Sequence, residues 1–139
     1  MASNFVFEDK DRVGQWVADQ VEQTASWGDF YAMGVEDGNG EILAGVVFNN
    51  FNGSNATAHI AVKRFTRLFP GLIEHAFNYA FNQNKLNRVT GLVEADNEKA
   101  LRLDWHIGFE VETTLRKGGA KGQDMIVLVM WPERCRWIQ

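Results

Sequence analysis

Leu86-Asn87-Arg88-Val89-Thr90-Gly91-Leu92-Val93-Glu94, followed after Ala95-Asp96 by Asn97-Glu98-Lys99-Ala100-Leu101-Arg102-Leu103-Asp104-Trp105-His106-Ile107-Gly108-Phe109, is the stretch on which the fold turns. Arg88 to Glu94 reads as a strand, bounded by polar residues on both sides. Asn97 to Ile107 reads as a helix whose inward side carries Ala100, Leu101 and the Leu103 to Asp104 step. Gly108 stops that helix, because glycine accepts the left-handed conformation a helix end requires.

Working outward, Phe109 to Arg116 and Asp124 to Trp131 are two further strands, separated by the loop Gly118-Gly119-Ala120-Lys121-Gly122. Upstream, Leu72, Ile73, Ala76, Phe77, Ala80 and Phe81 share one face of a helix. Pro70 suits its first turn, where a missing N–H costs little. Phe30 to Val35 and Glu41 to Asn49 are strands joined across Asp37-Gly38-Asn39-Gly40, and Asn52-Gly53 turns the chain into a strand from about Thr57 to Val62. At the start, Asn4 to Glu8 alternates like a strand. Asp9 or Asp11 then caps a helix with Val13, Trp16, Val17, Gln20 and Val21 on its spacing. The order β-α-β-β-β-α-β-α-β-β predicts an α/β (α+β) domain: a mixed, mostly antiparallel sheet flanked by helices.

Composition narrows the function. The 139 residues make a single domain, 1–139, the natural reading. An apolar fraction of 45% with ten Phe, five Trp and two Tyr is enough for a core. A net charge of −4 argues against nucleic acid as an obligate partner, although Lys63, Arg64 and Arg67 form a local basic group. Cys135 is the one cysteine, and His59, His75 and His106 lack a zinc-binding spacing, so neither a disulfide nor a metal site is expected. No run approaches the roughly 18 apolar residues of a membrane span, and the first residues lack the basic-then-apolar pattern of an export signal. The expected setting is the cytoplasm, with no membrane partner.

Leu86-Asn87-Arg88-Val89, Asn97-Glu98-Lys99-Ala100-Leu101 and Ile107-Gly108-Phe109 together resemble the "L-x-R-V … N-x-x-A-hydrophobic … L-G-F" pattern of the GNAT N-acyltransferases. Arg116 and Asp124 resemble the "R … G-x-x-D" ending of the branch that modifies ribosomal-protein N-termini. As a whole the chain looks most like the short GNAT-like proteins of tailed bacteriophages, which implies a host-cytoplasmic setting. The resemblance covers the chain from about Phe30 onward. It implies a GNAT fold and acetyl-CoA as co-substrate. The acceptor it implies is a primary amine: a small amine, a lysine or a protein N-terminus. It also implies that Ile60, Ala61 and Val62 pair with the pantetheine arm. Asn97 reaches that arm with its amide beside Ala100, and N–H groups at the start of the helix after Val62 cradle the pyrophosphate with the positive end of the helix dipole. A homodimer is compatible with the family and with the aromatic tail Trp131 to Trp137, which otherwise packs back on the domain.

Two positions depart from the family pattern. The phosphate loop usually reads R/Q-x-x-G-x-G/A, but here Arg64-Phe65-Thr66-Arg67-Leu68-Phe69-Pro70 sets Phe65, Arg67 and Phe69 where glycines are expected. Either Lys63, Arg64 and Arg67 supply charge in place of close backbone contact, or the loop belongs to a non-catalytic module that binds a host or virion protein. The second departure is Asp104, where many members carry the tyrosine that protonates the departing thiolate. A thiolate leaves readily, cysteine-like thiols having a pKa of about 8.5. Asp104 can supply the proton only if burial raises its pKa well above about 4. Otherwise it pairs with Arg88, Arg102 or a backbone donor. For the base that takes the amine's proton, Glu94 at the end of its strand and His59 just before the pantetheine segment are the candidates. Alternatively His59 makes a single structural hydrogen bond and Glu94 braces the turn before Asn97. His106 complements the end of its helix, and His75 lies on an outer face.

Overall fold

The computed structural model describes residues 2–138. Seven strands form one sheet in the order β1-β2-β3-β4-β5-β7-β6: β1 (Asn4–Val6), β2 (Phe30–Glu36), β3 (Ile42–Asn49), β4 (Asn55–Val62), β5 (Arg88–Glu94), β6 (Glu110–Leu115) and β7 (Met125–Met130). Neighbours run antiparallel except β4 and β5, which are parallel. Parallel neighbours need a crossover. Here α2 (Phe69–Phe77) makes it, and α3 (Glu98–Ile107) connects β5 to β6. Helix α1 (Lys10–Gln20) follows β1.

Alternation along the strands divides the core into two layers. On one face Val13 and Val17 of α1 are fully buried with Trp27, Ala32, Ile42, Val47 and Ala61. Gly45 lets α1 come this close: a Cβ there would lie 2.7 Å from Val17 Cγ2 and 3.2 Å from Val13 Cγ1. On the other face α2 and α3 cover Val46, Phe48, Ala58, Val89, Val93 and Leu128, with Phe77, Leu101, Ile107 and Phe109 between them.

The expected element order is observed in full. The helix expected to run evenly past Phe77 differs. From Asn78 to Gln83 it widens into a π-helical turn. Ala80 and Phe81 still reach the core, and the extra residue per turn is absorbed at Asn78, Asn82 and Asn84, whose side chains bond nearby backbone or one another. The aromatic tail packs back on the domain: the Trp137 indole N–H donates to Ile107 O at 2.7 Å, and the Arg136 guanidinium donates to Ile107 O and His106 O. These donors satisfy carbonyls that the end of α3 would otherwise leave open. Gly108, at φ 119°, completes that end.

Candidate active site

The parallel pairing of β4 and β5 is short. It holds at Asn55↔Arg88, Ala56↔Val89 and Thr57↔Thr90 and then stops, although both strands continue, to Val62 and to Glu94. A hydrogen bond from Thr90 Oγ1 to Asn55 Oδ1 (2.7 Å) ties the paired end. Beyond it the two strands run on unpaired towards the starts of α2 and α3, and the gap between them is the candidate cleft.

Which backbone groups line this cleft follows from the β3–β4 ladder. Lys63 N donates to Leu43 O (2.8 Å), and hydrogen-bonded positions alternate along an antiparallel pair. His59 and Ala61 therefore turn their backbone groups towards β3, whereas Ala58, Ile60 and Val62 turn theirs towards the cleft. Of the three residues expected to pair with an extended ligand, Ile60 and Val62 present free edges and Ala61 does not. Ala61 faces β3 with its backbone and is buried under α1 with its side chain. Ala58 turns the same way, but its N–H is spent on Thr90 O in the last parallel pair, so only its carbonyl joins the free edge.

Side chains divide the cleft into two rims. By alternation from the Thr57↔Thr90 pair, Leu92 and Glu94 of β5 point their side chains to the same face as His59 and Ala61 of β4, the α1 side of the sheet. On the other side of the sheet lies α3, which carries Asn97, Ala100 and Asp104. Asn97 caps α3, its Oδ1 accepting from Ala100 N at 3.1 Å. Its side-chain NH2 is thus the part left for a ligand. Its backbone N–H donates to Glu94 O (2.9 Å), and Asp124 O accepts from Ala95 N (2.8 Å), so the end of β5 is braced from both directions. Asp124 also accepts from Lys117 N through Oδ1 (3.0 Å), which makes it the fastener of the β6–β7 loop.

Asp104 is buried, at 9% exposure. Neither arginine expected to pair with it does so: Arg88 forks onto Glu112 (2.9 and 2.6 Å), and Arg102 reaches Glu98 (3.3 Å). Burial with no compensating cation pushes the Asp104 carboxyl up to about 7. His59 lies in the opposite condition. Burial alone lowers its pKa to about 4, so the ring is neutral in the physiological range. Its Nε2 meets Asn49 Oδ1 at 2.8 Å, and its ring packs on Trp27 with centroids 4.6 Å apart.

The turn between β4 and α2 is the segment where the departure from the glycine pattern has a visible consequence. Leu68 N donates to the Thr66 hydroxyl and Phe69 N to Thr66 O, both at 3.1 Å, while Pro70 has no N–H. Gly71 is the donor left in the first turn of α2, and a Cβ there would stand 2.8 Å from the Phe5 ring. The backbone cradle that a helix start normally offers an anion is therefore mostly occupied. Lys63, one of the three expected cations, pairs with Glu41. Arg64 and Arg67 are exposed and form no carboxylate pair among the described residues, and Arg64 lies near Asp37. Phe65 is 61% exposed, edge-on to Phe69.

A cavity of about 420 Å³ sits elsewhere, under β2 and the π-helical turn, lined by Phe7, Tyr31, His75, Tyr79, Asn82 and Gln83 among others. Its walls are rings, neutral amides and the Met33 thioether, and no carboxyl group lines it. Among the described residues, no helix is long and apolar enough to cross a membrane, and no group of His, Cys, Asp and Glu could hold a metal ion.

No protein-family model and no curated protein sequence matches the chain. Solved structures do. The spermidine N-acetyltransferase from Vibrio cholerae in complex with CoA and spermine is 20% identical with a TM-score of 0.63, covering 89% of this chain and 76% of that one. A dodecameric structure of the Vibrio cholerae enzyme in an intermediate state is 20% identical with a TM-score of 0.62, covering 87% and 73%. A chimera of that enzyme with hSSAT is 22% identical with a TM-score of 0.61, covering 87% and 74%. The fold is that of the GNAT acetyltransferases.

Proposed function

We propose that this protein transfers an acetyl group from acetyl-CoA to a primary amine in the cleft between β4 and β5. The observation that carries this reading is the end of β4–β5 pairing at Thr57↔Thr90, which leaves the backbone edges of Ile60 and Val62, together with the Ala58 carbonyl, unpaired by β5. An extended amide-bearing chain such as pantetheine matches those edges. Asn97 offers its side-chain NH2 to the same arm, beside Ala100. Arg64 and Arg67 hold the pyrophosphate through side-chain charge, with Lys63 weakened in that role by Glu41.

Bound acetyl-CoA supplies an activated acyl carbonyl and a thiolate leaving group. An amine attacks only in its neutral form, and the nitrogen sheds a proton as the new bond forms. Glu94 and His59, on the rim opposite α3, are the groups we place on that proton's route. Asp104 stands on the other rim with its carboxyl raised by burial to about 7, so that it holds its proton far better than an exposed carboxyl, and it donates that proton to the departing sulfur. The two rims thus separate the accepting groups from the donating group.

Spermidine and spermine are the first acceptors to try, because they are the polyamines associated with the fold's solved relatives. Peptides with a free N-terminus come next, on the likeness at Arg116 and Asp124. With this reading we carry the chain as one domain, a homodimer as a compatible assembly, and a phage-encoded, host-cytoplasmic origin. Two measurements test it. Acetyl-CoA at about 100 times its Kd stabilises by roughly 2.7 kcal/mol, read as a rise in thermal midpoint. Free thiol then appears in step with acetylated amine. No midpoint shift at millimolar acetyl-CoA sinks the reading. It would favour the alternative that the occupied helix start at Thr66 to Pro70 suggests, a GNAT-like module that binds a protein and transfers nothing.

A further inference from the structure

We propose that Asn49 is a positioning residue, which fixes the His59 imidazole as its Nε2–H tautomer and so leaves Nδ1 as the proton-accepting atom on the acceptor rim of the cleft. The inference rests on the reading that an amine is acetylated there.

Three elements supply the parts. Trp27, in the segment before β2, donates its indole N–H to Gly14 O of α1 at 2.9 Å. The Asn49 side-chain Nδ2, at the end of β3, donates to Trp27 O at 3.2 Å. Asn49 Oδ1 and His59 Nε2 lie 2.8 Å apart. The direction of each bond is forced in turn. A backbone carbonyl only accepts, so the amide must turn its NH2 towards Trp27. That leaves Oδ1 facing His59, and an amide oxygen also only accepts. Nε2 must therefore carry a hydrogen. A neutral imidazole holds one N–H, so the remaining lone pair belongs to Nδ1.

The ring is fixed in place as well as in tautomer. Asn49 and Trp27 are both buried, and Trp27 packs against the imidazole. Asn49 itself is pinned, because rotating its amide would set two acceptors against each other at Trp27 O and two donors at His59. Burial keeps the ring neutral, with no charged side chain among the causes. The carboxylate that β5 carries on the same face of the sheet is Glu94. On the α1 side His59 packs on Trp27 and sits opposite Val47, and the cluster to which both belong is apolar: Val13, Val17 and Ala61.

The test combines one spectrum with one variant. Two-bond proton–nitrogen correlations of the wild-type ring, assigned with His59→Gln, should show Nε2 protonated and Nδ1 bare from pH 5.5 to pH 8. In Asn49→Asp the carboxylate accepts from Nε2–H and favours the imidazolium. The acid limb of kcat should then move up by roughly one to three pH units, with the acetyl-CoA KM little changed. An Nδ1–H tautomer in the wild type overturns the inference. So does an acid limb that stays put in a folded, active Asn49→Asp protein. If Asn49→Asp does not fold, the wild-type spectrum decides alone. A wild-type protein that acetylates no amine overturns the functional reading and the inference together, whereas an active one with an unmoved limb overturns the inference by itself.

Discussion

Asp104→Asn tests the cleft through stability as well as rate. The Asp104 carboxyl has an ordinary pKa of 3.8, raised in the fold to about 7 by burial. The folded state therefore holds this proton more tightly than the unfolded chain does. Below about pH 4 the group is protonated in both states and affects stability little. As pH rises from 4 to 7 the unfolded chain ionises first, and stability falls until the folded carboxyl ionises too. At about 1.4 kcal/mol per unit over about three units, the loss approaches 4 kcal/mol above pH 7. His59 acts in the opposite sense: its pKa drops from 6.5 to about 4, so it adds stability above pH 6.5 that disappears as pH falls towards 4. In the wild type the two slopes partly cancel. The difference between variant and wild type removes His59, because both proteins contain it. Asparagine cannot ionise, and any cost of its unpaired NH2 is a constant of about 1–3 kcal/mol at every pH. Urea unfolding of both proteins at pH 4.5, 6, 7 and 8 should therefore show the variant gaining on the wild type by a few kcal/mol between the extremes. In turnover, the wild type should lose activity as pH rises through about 7, and the variant should be slow without that limb. A stability difference that is flat with pH would refute the buried-acid argument.

Three further outcomes follow from the geometry. Asn97→Ala removes the cap of α3 and should cost about 1 kcal/mol in urea unfolding while raising the acetyl-CoA KM; a change in stability alone would leave the residue only a cap. Arg64→Ala and Arg67→Ala should each weaken acetyl-CoA binding in calorimetry and reduce its dependence on salt, with the fold intact; Lys63→Ala, already paired with Glu41, should do so less. Gly45→Ala forces a methyl to within 2.7 Å of Val17 and should destabilise by about 1–3 kcal/mol, a cost visible as a lower urea midpoint at unchanged cofactor affinity.

How much of this was readable beforehand depends on how local each signal is. Arg88 to Glu94, α3 and its stop at Gly108 are encoded in adjacent residues, so strand pattern, helical spacing and cap chemistry locate them without the rest of the chain. The π-helical turn was not readable, because Leu72 to Phe81 keep an apolar face that an even helix satisfies equally well. The partner of Asp104 went the same way. Arg88 and Arg102 are near it in sequence terms, but Glu112 lies across two strands from Arg88 and Glu98 one turn before Arg102, and these take the guanidinium groups. Asn49 carries no local signal. It becomes informative only when β3, β4 and the Trp27 segment meet, an event of register rather than composition.

The glycine-poor turn and the cleft are separable parts of one site. The cleft depends on where β4 stops pairing with β5, and the turn begins only after Val62, where the cleft edge ends. Side chains in place of glycines at Phe65, Arg67 and Phe69 therefore leave the free edges of Ile60 and Val62 and the position of Asp104 untouched. What changes is the grip on an anion. Thr66 and Pro70 occupy or remove the donors of the α2 start, so charge must come from Arg64 and Arg67 on flexible, exposed stems. Side-chain charge is screened by salt, whereas a set of fixed backbone donors loses less. On the acetyl-transfer reading proposed above, a protein built this way should bind acetyl-CoA more weakly and more salt-dependently than one with glycines in this loop, yet turn it over once it is bound. Weak binding without turnover in saturating acetyl-CoA at low salt would place the fault in the cleft rather than in the turn.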